Sequence, residues 1–172
     1  MKKTEDNMKR RKKIFSIVAL FALVLTLSGC GQKEENNNND SKDGTVVTCT
    51  KTSEAATTGV DADLTYQYTE KDGYVQTLHT TEKLTSDNKT YLEAYQSVLE
   101  DSYEPYKNIE HYEYEITLKG NTLTSQVTID YAKIDTDQLV AIDSSNIALI
   151  KDGKVAAADL KSLYESIGAT CK

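Results

Sequence analysis

Glu110 to Tyr131, EHYEYEITLKGNTLTSQVTIDY, is the stretch that decides the fold. Gly120-Asn121 at its centre is a two-residue turn signal of type I′ or II′, whose backbone twist matches that of flanking strands. Folding about it sets Leu118 against Leu123, Ile116 against Ser125, Tyr114 against Val127 and Tyr112 against Ile129. The other face pairs Thr117 with Thr124, Glu115 with Gln126, Glu113 with Thr128 and His111 with Asp130. Both strands alternate with period 2, and the register agrees with the alternation: one face is apolar, the other polar. This is a β-hairpin with one side for a core and one for water.

Upstream, Val60 to Leu84 reads as a second hairpin. Lys71-Asp72-Gly73 is expected as a three-residue loop with Gly73 in the left-handed region, which puts Leu64, Tyr66 and Tyr68 on one face with Tyr74, Leu78 and Thr80. Thr45 to Lys51 reads as a further strand. Between the hairpins, Tyr91, Leu92, Tyr95, Val98 and Leu99 recur at helical spacing behind a Ser86-Asp87 N-cap, and Pro105 limits that helix. Asp135 is expected to cap a short helix through Val140, and Lys151 to Lys154 is a turn. A last stripe, Leu160, Leu163, Tyr164 and Ile167, closes at Gly168 in the C′ position. Paired strands followed by helices imply an α+β fold, a mainly antiparallel sheet built from two hairpins and packed by two main helices.

The N-terminus has another logic. Lys9 to Lys13 is a dense basic cluster, and Ile14 to Leu27 is almost wholly apolar. That run is shorter than the ~20 residues a bilayer span needs, and with small residues behind it the pattern is that of a signal peptide over residues 1–29. Met8 opens a shorter version of it and is an alternative start. Cys30 could close a membrane helix, pair with another cysteine or carry lipid. Leu27-Ser28-Gly29-Cys30 resembles the bacterial lipoprotein signal at all four positions. That resemblance implies a diacylglycerol thioether on Cys30 and cleavage just before it. Two acyl chains hold a protein at a bilayer where one is marginal. Gln32 to Gly44 contains no apolar residue and reads as a disordered tether within 30–44, leaving 45–172 as one globular domain.

Of 20 basic and 27 acidic residues, seven and two fall in 1–29, leaving 13 and 25, a net charge of −12. Such a surface repels phosphate backbones, so nucleic acid is not an expected partner. Eleven Tyr and two Phe without Trp suit half-exposed sheet faces, because the ring packs while the hydroxyl seeks a bond. With Cys30 assigned to lipid, Cys49 and Cys171 remain as an even pair in an exported chain, which favours a disulfide. Closing so long a loop contributes about 4–5 kcal/mol in the chain-entropy account. Two buried thiols or a metal site are the alternatives, the last disfavoured by two His and no CxxC pair.

No nucleophile elbow, zincin helix, Walker loop, dinucleotide fingerprint or EF-hand loop occurs, and Asp61-Ala62-Asp63 and Asp135-Thr136-Asp137 are too short for a calcium loop. His111, Glu113 and Glu115 share one strand face with Asp130 opposite His111, so His111, Glu113 and Asp130 are the candidates for a divalent cation. The competing reading, which we favour, is a solvated face with a cross-strand His–Asp pair. Tyr66, Tyr68, Tyr74, Tyr112 and Tyr114 are expected in the core rather than in a ligand groove. No catalytic residue and no cofactor is expected.

The lipoprotein signal, the polar tether, Cys49 in a first strand, EYEITLKGNTLTSQVTIDYAKID at 113–135 and YESIGATCK at 164–172 together resemble the YehR-like family of small bacterial lipoproteins. The resemblance implies an α+β lipoprotein domain and carries over no catalytic residue. The expectation is a non-enzymatic binding or interaction module, lipid-anchored on the extracytoplasmic face of the cell membrane, whose partner is an envelope protein or small ligand. A small-molecule or divalent-metal receptor using the His111/Glu113 face is the alternative, and an envelope hydrolase ranks last.

Overall fold

The turn at Gly120-Asn121 forms as the sequence requires. Gly120 alone of the two takes a positive φ, 61°, the type II′ choice. It joins β4 (Tyr112–Lys119) to β5 (Thr122–Asp130), with Leu118 opposite Leu123 and Tyr112 opposite Ile129. The computed structural model describes residues 44–54 and 59–172. The remaining strands and α-helices among them are β1 (Thr45–Ser53), β2 (Asp61–Lys71), β3 (Tyr74–Thr85), α1 (Lys89–Tyr103), α2 (Thr136–Ile142), β6 (Ile150–Lys151), β7 (Lys154–Val155), α3 (Ala157–Ser166) and β8 (Thr170–Cys171). Six strands form one antiparallel sheet in the order β4-β5-β3-β2-β1-β8, and β6-β7 is a separate two-stranded ribbon. The fold is therefore α+β with an antiparallel sheet. Two hairpins supply four of its six strands, and the described residues hold three α-helices, one of them the short helix expected behind Asp135.

The β2–β3 connection departs from expectation. Lys71 pairs with Tyr74, so the loop is the two residues Asp72 and Gly73, at φ 55° and 82°. Left alone, that register would put the wrong residues inward. A bulge corrects it: Glu70 pairs with Val75 and Thr69 with Thr77, leaving Gln76 extra. Beyond the bulge Tyr68 meets Leu78 and Tyr66 meets Thr80, as the faces demand. Val75 takes the buried position and Tyr74 turns out, 40% exposed, with the Lys154 ammonium 4.8 Å from its ring centroid. Two apolar residues three apart on a strand share a face only across such a bulge.

Helices cover one face of the sheet. Leu92 and Leu99 of α1 bury against Leu84 and Leu123, while Leu160 and Tyr164 of α3 join the cluster of Tyr68, Leu78, Val127 and Ile129. The cap of α1 is Asn88, whose side chain accepts from Tyr91 N. Ser86, in the expected cap, is buried and instead donates to Gly59 O at 2.7 Å and accepts from Asn88 N. α1 gives way to a 3₁₀ turn at Glu104–Tyr106, where Pro105 cannot supply the next amide. Asp135 caps α2 through Asp137 N. α3 ends in a Schellman motif: Ala169 N bonds Tyr164 O, Gly168 N bonds Glu165 O, and Gly168 takes φ 88°.

β8 returns antiparallel to β1. Thr48 and Lys172 exchange both backbone bonds at 2.9 Å. The neighbouring pair, Cys49 and Cys171, thus occupies the position without ladder bonds, where strands approach most closely. A disulfide joins them across a sequence separation of 122. Lys51 Nζ donates to Ile167 O at 2.7 Å, a cation on the last carbonyls of α3.

Candidate functional site

The second face of the sheet is the one available for recognition. Alternation sends Thr48, Thr50, Thr52, Thr65, Gln67, Thr77, His79, Thr81, Lys83, Glu113, Glu115, Thr124, Gln126 and Thr128 to it, and none of these is buried. Among the described residues of these strands, the large apolar side chains left exposed away from the core are Val46 on β1 and Tyr74 beside the β2–β3 turn. Small hydroxyls on paired strands bond to each other, as Thr77 Oγ1 does to Thr69 Oγ1 at 3.1 Å.

A shallow concavity of about 330 Å³ lies where β3, β5 and β4 run side by side. Thr128 sits at its centre, with His79 directly across on β3 and Glu113 directly across on β4. One step along, Gln126 lies between Thr81 and Glu115. His79 Nδ1 is 2.9 Å from Thr128 Oγ1, and Thr117 Oγ1 donates to Glu115 at 3.3 Å. These groups accept and donate hydrogen bonds in rows at strand spacing. His79, Glu113, Glu115 and Gln126 among them are exposed, open to a partner from solvent. A second polar groove of about 610 Å³ lies between the start of α1 and the β4–β5 turn, lined by Ser86, Lys89, Glu93, Gln96 and Asn121.

The candidates read from the sequence distribute differently. Glu113 lies on the concave face. His111 does not: it precedes β4 with φ 69°, a left-handed backbone that breaks the alternation, and its ring lies 3.7 Å from Glu110. Asp130 is committed to the turn after β5. It accepts from Lys133 Nζ at 2.7 Å and Ala132 N at 3.1 Å, and chiefly the lysine holds its carboxyl below the usual carboxylate range. Among the described residues, no three His, Cys, Asp or Glu side chains gather as metal ligands would. Cys30 lies outside the described residues. The histidine that does reach the site, His79, was not singled out from sequence. Its only signal is an outward position on β3, which acquires meaning once β3 is known to pair with β5.

The tyrosines are spent on packing. Tyr66 stacks on Tyr164 with ring centroids 4.1 Å apart, Tyr112 on Tyr106 at 4.8 Å and Tyr114 on Tyr103 at 5.3 Å. Burial pushes the Tyr66 hydroxyl up to about 12 and raises Tyr112 and Tyr164 as well, so all stay neutral at physiological pH. One carboxylate is out of place among them. Glu82 sits on the helix-covered face between Leu64 and Ser125, half-buried, accepting from the Tyr95 hydroxyl at 3.2 Å. Burial raises its pKa, and the Tyr95 bond opposes that only in part.

Known proteins resemble the chain over this region. The family described as "Protein of unknown function (DUF1307)" matches residues 49–168. The "Uncharacterized lipoprotein YehR" of Escherichia coli (strain K12) is 30% identical over 141 residues, covering 82% of this chain and 83% of its own. The "Uncharacterized lipoprotein Lin0239" of Listeria innocua is 28% identical over 132 residues, 77% of each chain. The NMR structure of the Escherichia coli YehR protein matches with a TM-score of 0.51 at 20% identity, over 77% of this chain and 92% of that one, a likeness of fold alone. These matches bear out the resemblance to small bacterial lipoproteins read from the sequence.

Proposed function

This chain belongs to the DUF1307 family, and on that premise we propose that it is a lipid-anchored envelope protein whose folded part is a non-enzymatic binding module presenting the open face of its sheet. The asymmetry of the sheet carries this reading. One face is closed by three helices and stacked tyrosines, while the other offers hydroxyl, amide, imidazole and carboxylate groups in register around Thr128. Thioether lipidation of Cys30 anchors the chain on the extracytoplasmic face of the membrane, and Gln32 to Gly44 holds residues 45–172 off the lipid as one domain. The occupant is an envelope protein or a small polar ligand. The names of the relatives, both lipoproteins, support the anchor. No helix among the described residues is long and apolar enough to cross a membrane. A receptor built on His111 has little support, since His111 and Asp130 point their chemistry elsewhere; His79 and Glu113 are the pair that flank one site.

Photo-crosslinking from the full chain in its membrane tests the proposal. A photoreactive side chain at Gln126 or Thr81 should give discrete adducts that Glu113→Gln or His79→Ala diminishes. The same side chain at Glu100, on the solvent side of α1, should give none of them. Equal labelling from both faces, or none from the open one, overturns it.

A further inference from the structure

β4 is an edge strand eight residues long with nothing paired to its outer side among the described residues. Asp130 N bonds His111 O, so the odd-numbered residues of β4 turn their amides toward β5 and the even-numbered ones turn away. Tyr112 N is satisfied by Ile109 O at 3.3 Å. Tyr114, Ile116 and Leu118 therefore offer three N–H and three C=O groups at an open edge. Charged residues on an edge ordinarily deter a stray strand. Here the charges have a second property, because they complement their own reverse.

We propose that two copies of this chain associate through antiparallel β4–β4 pairing centred on Ile116. Placing Ile116 against Ile116 of the second copy makes Tyr114 face Leu118, and all three belong to the set whose backbone groups point outward. On the open face the same register sets Glu113 against Lys119 and Glu115 against Thr117, each twice by symmetry. Neither Glu113 nor Lys119 has an ion-pair partner among the described residues, so both are free to meet. Neighbouring registers are worse. A slip of one residue opposes the apolar and polar faces. A slip of two in one direction sets Glu115 against Glu115; in the other it keeps a Glu115–Lys119 pair but shortens the ladder, setting Tyr114 against Gly120 and Glu113 against Asn121 of the turn. The pairing extends the sheet to twelve strands and makes the two open faces continuous, so the concavities around Thr128 come to lie side by side. A β4–β4 contact is isologous and self-limiting, since it consumes the edge that forms it.

Carbodiimide coupling, which joins a carboxylate to an amine in contact, tests this on the full chain in detergent micelles and in membranes. Within one strand Glu113 and Lys119 are six residues apart, roughly 20 Å, so a link between them reports two molecules. Mixing ¹⁵N-labelled and unlabelled protein should give a Glu113–Lys119 peptide of mixed mass. The intrachain contacts Asp130–Lys133 and Asp159–Lys151, each 2.7 Å, serve as coupling controls. K119E should abolish the dimer in native mass measurements and E113K/K119E should restore it. Control links without the Glu113–Lys119 link overturn the proposal, as do a dimer that survives K119E, a double variant that stays monomeric, or Lys119 linked instead to another protein.

Discussion

Removal of either half of the Cys49–Cys171 disulfide should cost most of its loop-closure stabilisation at once, and removal of the second half should cost little more. The sequence separation of 122 spans nearly all of residues 45–172, and the chain-entropy relation turns it into about 5 kcal/mol at 25 °C. With an unfolding entropy of roughly 0.27 kcal/mol/K for about 130 residues, the melting temperature should fall by up to ~20 °C. The two positions are not equivalent. Cys49 is fully buried and Cys171 is not, so Cys49→Ser also buries a hydroxyl, whereas Cys49→Ala leaves only the missing sulfur. The informative set is thus Cys49→Ala, Cys171→Ser and the double variant of residues 44–172, unfolded in urea with and without a phosphine reductant. The two single losses should be similar, the double should not approach their sum, and reduction should bring the parent protein to the level of the variants. Additive losses, or a urea midpoint that reduction leaves unchanged, would refute the reasoning.

Glu82 should make the protein less stable as the medium becomes less acidic. Its folded pKa is raised, so the native state holds the proton more tightly than the unfolded chain; stability is greatest below the unfolded carboxylate pKa and falls as pH rises through the raised value. Tyr66, Tyr91, Tyr95 and Tyr103 surround it and are neutral throughout that window, so Glu82→Gln should flatten the loss and stabilise the protein at pH 7, read from denaturation midpoints between pH 3 and 7. An unchanged pH profile in Glu82→Gln would assign the dependence to other carboxylates. Cys30→Ser should move the protein from the membrane to the soluble or unprocessed pool on fractionation, and membrane-bound, processed variant protein would reject lipidation.

Legibility followed the range of the interaction. The β4–β5 register was readable because a two-residue turn and two period-2 strands lie within 22 contiguous residues, so one constraint checks the other. The caps at Asp135 and Gly168 were readable because capping groups act within one helical turn. The β2–β3 loop was misread by one residue. Its bulge at Gln76 is visible only when Val75 and Leu78 must both face the same core, and that core is completed by Val127, Ile129 and Tyr164, distant in sequence. The Ser86-Asp87 cap moved to Asn88 because Ser86 was needed to hold Gly59, a contact 27 residues away.

The sequence by itself determined that the chain carries a lipoprotein-like signal and that it alternates into amphipathic strands and helices. Those properties are written in adjacent residues and in the periods of 2 and 3.6 that backbone geometry imposes. Only the tertiary structure decided which strands became neighbours beyond the two hairpins. The pairing of β3 with β5 brought His79 beside Thr128 and Glu113, and the return of β8 to β1 brought Cys171 to Cys49. It also left β4 at an edge and took His111 out of the site. Hydrogen bonding between strands is indifferent to how far apart they lie in the chain. What selects one partner over another is the shared burial of a face that no single hairpin can cover alone.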